Sequence, residues 1–391
     1  MIDKEINLSD TQTAFQYKTD SNLKISKFVF SLFKYDFLVK YGPAITSFCL
    51  KIGLPIKGLI KKTVFSQFCG GENIDECNAT VDNIWKYNVG AILDYSVEGE
   101  GSEQSFEANA DEIKNIISKT KGKQQYPFCV FKPSGIASIS LLEKVDSGQK
   151  LEQNELDNYY KTRKRFETLC ETAANNNVKL FIDAEESWIQ NSVDNFANEM
   201  MRKFNTNEAV IFNTVQLYRK GRVEFITECI EDARKNKYYL GFKLVRGAYI
   251  EKEWNRAALK GYENPIHNNK FNCDTDFNNA LKICFENRDI VSICAGTHNE
   301  NSSLMLCNMM NEAGIDNNDK RFWFAQLYGM SDTISFNLAS HGYNVAKYLP
   351  YGPIQAVMPY LGRRARENSS MAGQMGRELN AITAELKRRN L

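Results

Sequence analysis

The stretch LDNYYKTRKRFETLCETAANNNVKLFIDAEE, residues 156–186, decides the fold class. Its first twenty residues carry apolar side chains at helical intervals. After Asn175 to Asn177 the pattern changes to VKLFIDA (178–184), the short apolar run of a buried strand. The same unit recurs on both sides. Strands are predicted at VGAILDY (89–95), FCVFK (128–132), AVIFNTVQ (209–216), GFKLVR (241–246), IVSICAG (290–296), FWFAQLY (322–328) and NVAKYLP (344–350), with helical periodicity between them. Eight such units over roughly 300 residues fit an α/β chain folded as a closed (β/α)8 barrel of TIM type. An open doubly wound sheet usually has fewer strands and a Gly-rich first turn, and no G-x-G-x-x-G follows the first strand.

In such a barrel the chemistry sits at the strand C-termini, so the polar residues ending each run are the candidates. They are Asp94 and Tyr95, Lys132, Asp183 with Glu185 and Glu186, Gln216, Lys243 and Arg246, Thr297 and His298, Gln326 and Tyr328, and Tyr348. One such residue alone reads as a cap or a surface ion pair, because strand ends meet solvent. Donors or charges at all eight ends predict a shared pocket.

Two local patterns sharpen this. In YLGRRARENS, residues 360–369, helical spacing puts Tyr360, Arg363, Arg364 and Glu367 on one face. Two adjacent guanidiniums offer forked donors suited to a carboxylate, with Glu367 holding one of them; a solvated charged helix is the plainer alternative. In FIDAEE (181–186) three carboxylates crowd a strand end and require cationic or hydrogen-bonding partners, with Lys132 on the neighbouring strand an obvious one. KLVRGAY (243–249) adds two cations and a glycine that lets backbone approach something flat or anionic. TVQLY (214–218) turns Gln216 inward, and AGTHN (295–299) supplies Thr297, His298 and Asn299 as neutral donors.

Composition excludes several function classes. Forty-nine basic residues against 48 acidic ones leave no field suited to nucleic acid. The ten cysteines include no C-x-x-C pair and read as buried thiols of a reducing compartment. The three histidines, His267, His298 and His341, show no ligand spacing, so no metal is assigned. The acidic first twenty residues resemble neither a signal nor a transit peptide, and no apolar run is long enough to span a bilayer. A cytoplasmic location follows, with any membrane contact peripheral and on the inner face. Residues 1–84 are expected to form a helical N-terminal arm and 85–391 the barrel, its last helix lying over the strand C-termini. Between Lys24 and Lys62 eight lysines and one acid, Asp36, interleave with apolar runs. This segment either lies on an anionic membrane or packs on the barrel with its lysines in water.

Read together and in order, FIDAEE, TVQLYRK, KLVRGAY, PIHNNKFNCDTD (265–276), AGTHN, QLYGM and Y-x-x-R-R-x-x-E-N resemble the proline dehydrogenase family over roughly residues 85–370. The resemblance implies FAD held noncovalently over the strand ends and L-proline oxidised to 1-pyrroline-5-carboxylate by hydride transfer from C5 to flavin N5. A quinone would reoxidise the flavin. Arg363, Arg364 and Lys132 would bind the proline carboxylate, Glu367 would orient an arginine, and Tyr360 would line the pocket. Asp183 would organise Lys132 and Tyr348. Gln216, Lys243, Arg246, Gly247, Ala248, Tyr249, Thr297, His298, Asn299, Gln326 and Tyr328 would surround the flavin.

Some family members carry Arg where this chain has Lys243, and Lys where it has Arg246, which leaves open which cation lies nearer N5. The hydroxyproline-oxidising branch has a small residue at the position of Tyr348, so proline is the expected substrate over 4-hydroxyproline. The chain has no room for a second catalytic domain, so a monofunctional enzyme feeding a separate pyrroline-5-carboxylate dehydrogenase is implied. Two rivals remain: a Schiff-base lyase using Lys132 or Lys243, and a ligand-binding barrel without turnover.

Overall fold

A computed structural model describes residues 6–95, 101–370 and 374–391. All eight predicted strands form: β1 Val89–Tyr95, β2 Phe128–Phe131, β3 Lys179–Ile182, β4 Ile211–Gln216, β5 Leu240–Val245, β6 Val291–Gly296, β7 Phe322–Leu327 and β8 Val345–Tyr351. They close in sequence order into a parallel barrel. Four strands, β2, β3, β5 and β7, stop short of their predicted ends, β3 by two residues and the others by one. β2 ends at Phe131 because Pro133 has no N–H for the ladder and opens a 3-10 turn with Lys132 as its N-cap. β3 ends at Ile182, although the Asp183 N–H still donates to the Phe131 carbonyl at 3.0 Å.

The chain divides into two compact units, Gly99–Phe324 and Met1–Glu98 with Ala325–Leu391. In the first, β2 to β6 pair in parallel order, and Phe128, Phe181 and Phe212 share one face of the sheet. Phe128 stacks on Phe181 with ring centroids 4.2 Å apart, and Phe212 meets both rings edge-on. Gly241 makes room for this cluster, since a Cβ there would lie 2.5 Å from the Phe212 ring and 2.7 Å from the Ile211 carbonyl oxygen.

In the second unit β1 pairs with β8, Val89 opposite Val345 through Tyr95 opposite Tyr351. Helices precede β1, the longest being Asp20–Leu32, Asp36–Lys51 and Ile74–Trp85. Phe15, Leu23, Phe30 and Phe68 from this part join Val357, Leu361 and Ile382 of the two C-terminal helices, Ile354–Ser370 and Gln374–Arg388, in one apolar core.

That unit also buries a cluster of charges. Asp332 lies 2.9 Å from the Lys347 ammonium and 3.6 Å from that of Lys18, and accepts the Tyr17 hydroxyl at 2.8 Å. Lys18 also donates to Ser26 Oγ at 3.0 Å, and Ser26 donates to Gln67 at 2.6 Å. Glu378 accepts the Ser331 N–H at 2.6 Å, holding that non-glycine residue at φ 50° at the start of helix Asp332–Ser340. Burial opposes the charge on Asp332, but Lys347 and Lys18 outweigh it and keep its carboxyl below the ordinary range.

Glu378 goes the other way. Burial, with Asp332 close by, pushes its carboxyl up to about 7, against the pull of Ser331, Lys347 and Lys18. The folded state therefore binds this proton more tightly than the unfolded chain does. The group's stabilisation is complete below its ordinary value of 4.5 and is lost as pH rises through about 7. The difference is on the order of 3 kcal/mol. Glu378→Gln is expected to flatten the fall of Tm between pH 5 and 8, measured by calorimetry in parallel with the wild type. An unchanged slope would mean that Glu378 is already ionised across this range.

Candidate active site

Each unit carries part of the predicted set. In Gly99–Phe324, the three carboxylates after β3 find separate partners. Asp183 pairs with the buried Lys243, whose ammonium sits 4.9 Å over the Phe181 ring, and accepts Thr214 Oγ1 at 3.3 Å. Glu186 pairs with Lys252. Glu185 accepts both the N–H and the hydroxyl of Ser134, at 2.7 and 2.6 Å. Because the Gly135 N–H donates to the Lys132 carbonyl at 3.0 Å, Glu185 thereby clamps the turn that begins at Lys132. Burial pushes the Glu185 carboxyl up to about 7, with Ser134 and Lys132 opposing.

Arg246 is held on every side. Its guanidinium donates to Asp274 at 2.6 Å, to Thr297 Oγ1 at 2.6 Å and to Ser302 Oγ at 3.0 Å, and lies 4.3 Å from the centre of the Phe277 ring. Asn299 caps helix Glu300–Glu312 and receives the Ser302 N–H, so Thr297, Asn299 and Ser302 form one rigid corner around the arginine. Gly247 follows at φ 130°, where a Cβ would strike the Tyr218 ring at 2.3 Å. Only glycine lets the backbone of Gly247, Ala248 and Tyr249 turn here. Gln216 is buried with its amide oxygen unpartnered among the described residues, and the Tyr218 hydroxyl is buried near Glu253.

In the other unit the helix Ile354–Ser370 carries Tyr360, Arg363, Arg364 and Glu367 as the spacing predicts. Arg364 Nη2 donates to Glu367 at 2.6 Å, and its guanidinium lies 5.2 Å from the centre of the Tyr360 ring. Arg364 Nε and the Tyr360 hydroxyl are both buried and have no hydrogen-bond partner among the described residues. Burial raises the Glu367 carboxyl even though Arg364 and Arg363 oppose it. Tyr348 is buried on β8, and its carbonyl accepts the Tyr328 N–H at 2.8 Å. Gln326 Oε1 accepts Ser335 Oγ at 2.7 Å, which fixes that amide from the helix beginning at Asp332. Orphaned donors beside a guanidinium on one helix face are what an anionic ligand requires.

A model of the family described as proline dehydrogenase matches residues 77–377. The chain belongs to the proline dehydrogenase family. A carbapenem antibiotics biosynthesis protein, CarD of Pectobacterium carotovorum, is 32% identical over 85% of this chain and 86% of its own length. Proline dehydrogenase 1 of Drosophila melanogaster is 35% identical over 58% of this chain, a match covering 35% of the fly protein. Among solved structures, proline utilization A of Bdellovibrio bacteriovorus aligns over 93% of this chain and 38% of its own, with TM-score 0.72 and 18% identity. At that identity the likeness is one of fold, and it agrees with the closed barrel. The chain thus spans well under half the length of several relatives it matches.

Sequence reading missed the partners that hold the family's candidate residues in place: Ser134 for Glu185, Asp274 and Ser302 for Arg246, and Ser335 for Gln326. PIHNNKFNCDTD contained Asp274 in plain view, but a carboxylate inside a helix gives no sign of which distant arginine it meets.

Proposed function

We propose that this chain is an FAD-dependent proline dehydrogenase that oxidises L-proline to 1-pyrroline-5-carboxylate. A quinone would take up the electrons, and a separate pyrroline-5-carboxylate dehydrogenase would consume the product. In this reading residues 1–84 are a helical arm on the catalytic barrel of 85–391, and the protein works in the cytoplasm with a peripheral contact at the inner membrane face. The observation that carries it is the helix face where the Tyr360 hydroxyl and Nε of Arg364, whose guanidinium Glu367 keeps in place, are buried without partners among the described residues.

The residues after β4 to β6 fit a flavin. Gln216 offers an unpartnered amide oxygen, Gly247 exposes backbone at φ 130°, and Arg246 presents a fixed cation. A bound flavin would supply the two-electron acceptor that no side chain provides. The protein's own share is positioning. Arg363 and Arg364 would grip the carboxylate at one end of a rigid ring, and a rigid ring gripped at one end presents its other end in a fixed place. Tyr360 and Tyr348 would wall the ring, and Asp183, buried with Lys243, would steady the strand ends around it. The substrate amine must lose its proton before hydride leaves, and a pocket lined by guanidinium and ammonium groups favours the neutral amine. Lys243 or Arg246 would stabilise negative charge developing on the acceptor.

The visible spectrum of the purified protein tests this directly. A flavin spectrum that bleaches on anaerobic addition of L-proline is expected. A colourless protein that FAD cannot reconstitute would instead favour lysine-based chemistry at Lys132 or Lys243, detectable by borohydride trapping. Tyr348→Ser is expected to raise turnover of 4-hydroxyproline relative to proline, since it clears the volume a 4-hydroxyl needs. An unchanged ratio of kcat/KM values would remove Tyr348 from the specificity argument.

A further inference from the structure

Ten of the eighteen large hydrophobic side chains exposed among the described residues lie between Phe28 and Leu59. On the helix Asp36–Lys51 and its C-cap, Phe37, Tyr41, Ala44, Ile45, Phe48 and Ile52 recur at intervals of three and four and so share one side. Phe37 and Phe48 are 63% and 62% exposed, values far from those of a packed face. The opposite side of the same helix is buried: Val39 and Leu50 join the core of Val357, Met358 and Leu361. The helix therefore has two apolar sides, one committed to the protein and the other open. Soluble surfaces rarely leave so continuous an apolar patch uncovered.

Charge identifies what covers it. Lys40 and Lys51 flank the open face on the helix. Of the eight lysines between Lys24 and Lys62, Lys57 and Lys61 are answered by Glu72. Lys24, Lys27, Lys34, Lys40, Lys51 and Lys62 have no ion-pair partner among the described residues. A second copy of the chain joined through this face would set these lysines against their own duplicates, which is unfavourable in a two-fold interface. An anionic bilayer offers acyl chains to the phenyl rings and headgroup charge to the ammoniums at once. We infer that the helix Asp36–Lys51, continued to Lys62, lies in the plane of an anionic lipid surface with Phe37, Tyr41, Ile45, Phe48 and Ile52 inserted.

The placement has a consequence for the candidate site. The buried side of this helix packs directly on Ile354–Ser370, where Gln355 donates to the Leu50 carbonyl at 3.4 Å and Gly362 lies against Pro43. The helix bearing Arg364 and Glu367 is then separated from lipid by a single helix layer, on the order of 10 Å. The inference rests on the proposed quinone link only for its purpose; the apolar face and the lysines stand apart from it.

Co-sedimentation of the full chain with vesicles tests it and needs neither flavin nor proline, so its failure is distinguishable from failure of the redox reading. Phosphatidylcholine vesicles are compared with vesicles containing about one third phosphatidylglycerol, at low and high salt. The wild type is expected to bind the anionic vesicles, more weakly at high salt, and to leave the neutral ones largely bare. Phe37→Glu with Phe48→Glu should weaken binding at least tenfold. So should Lys40→Glu with Lys51→Glu, since each lysine near an anionic surface accounts for roughly fivefold. Both doubles should keep the wild-type Tm and its turnover with a soluble dye acceptor. Failure of the wild type to bind, or equal binding to neutral and anionic vesicles, would overturn the inference. So would a dimer in solution that Phe37→Glu dissociates, which would assign the face to a second copy.

Discussion

Replacing Arg364 by methionine is expected to raise the KM for L-proline by roughly thirtyfold to several thousandfold, the span set by 2–5 kcal/mol for a buried charge-assisted pair with the substrate carboxylate. The expectation follows from two features of the free protein. Arg364 Nε is buried with no partner among the described residues, so the native structure already bears the cost of desolvating a donor that a bound carboxylate would satisfy. Nη2 is committed to Glu367 at 2.6 Å, which fixes the plane of the guanidinium before substrate arrives. Methionine keeps much of the side-chain volume against Tyr360, so the change should fall on binding rather than on folding.

Removing the guanidinium also leaves Glu367 buried with less counter-charge. Burial already raises that carboxyl, so it would respond by taking up a proton rather than by disrupting the helix. Arg364→Lys discriminates further. It keeps a charge but cannot hold Glu367 and a carboxylate with one fork, and should recover only part of the loss. A KM unchanged in Arg364→Met, measured with a soluble acceptor and confirmed by the proline concentration needed to bleach the flavin, would remove this face from substrate binding.

Which features of the fold were legible follows from where their information lies. Strand and helix are local, and the switch in apolar spacing at VKLFIDA is visible within ten residues. Strand ends are nearly as local: Pro133 stops β2 by lacking an N–H. The face shared by Tyr360, Arg364 and Glu367 needs only the helical repeat. Long-range pairing is different. Lys243 reads as a candidate flavin contact, yet the structure gives it Asp183, just after β3, as an ion-pair partner, a relation that depends on strand register. Lys18, Asp332, Lys347 and Glu378 belong to no local pattern in the sequence, and such residues are most often exposed. Their burial together is a product of tertiary packing that no spacing announces. Segment 24–62 left two readings open because its apolar residues are too many for one face, and it is the burial of Val29, Phe30, Phe33, Val39 and Leu50 that shows which side the protein uses.

The buried cluster carries the other large expectation. Asp332→Asn should destabilise the fold by on the order of 3–5 kcal/mol, lowering Tm by roughly 4–6 °C in a chain of this size. The cost comes less from the lost attraction than from what remains. Lys347 is fully buried 2.9 Å away, Lys18 is nearly so, and neither can reach water when its counter-ion is neutralised. Burial already lowers the Lys18 ammonium with Asp332 in place. If the penalty is uncompensated charge, Lys347→Met in the Asp332→Asn background should restore part of the stability, although Lys347→Met alone also destabilises. A cycle with purely additive losses would instead mean that each residue acts through packing. The same substitution should also disturb the candidate site, because Asp332 begins the helix whose Ser335 fixes Gln326, and Lys347 precedes Tyr348 on β8. Weaker flavin retention together with the lower Tm, both relieved in the Lys347→Met double, would show that one buried ion pair supports the fold and positions these side chains.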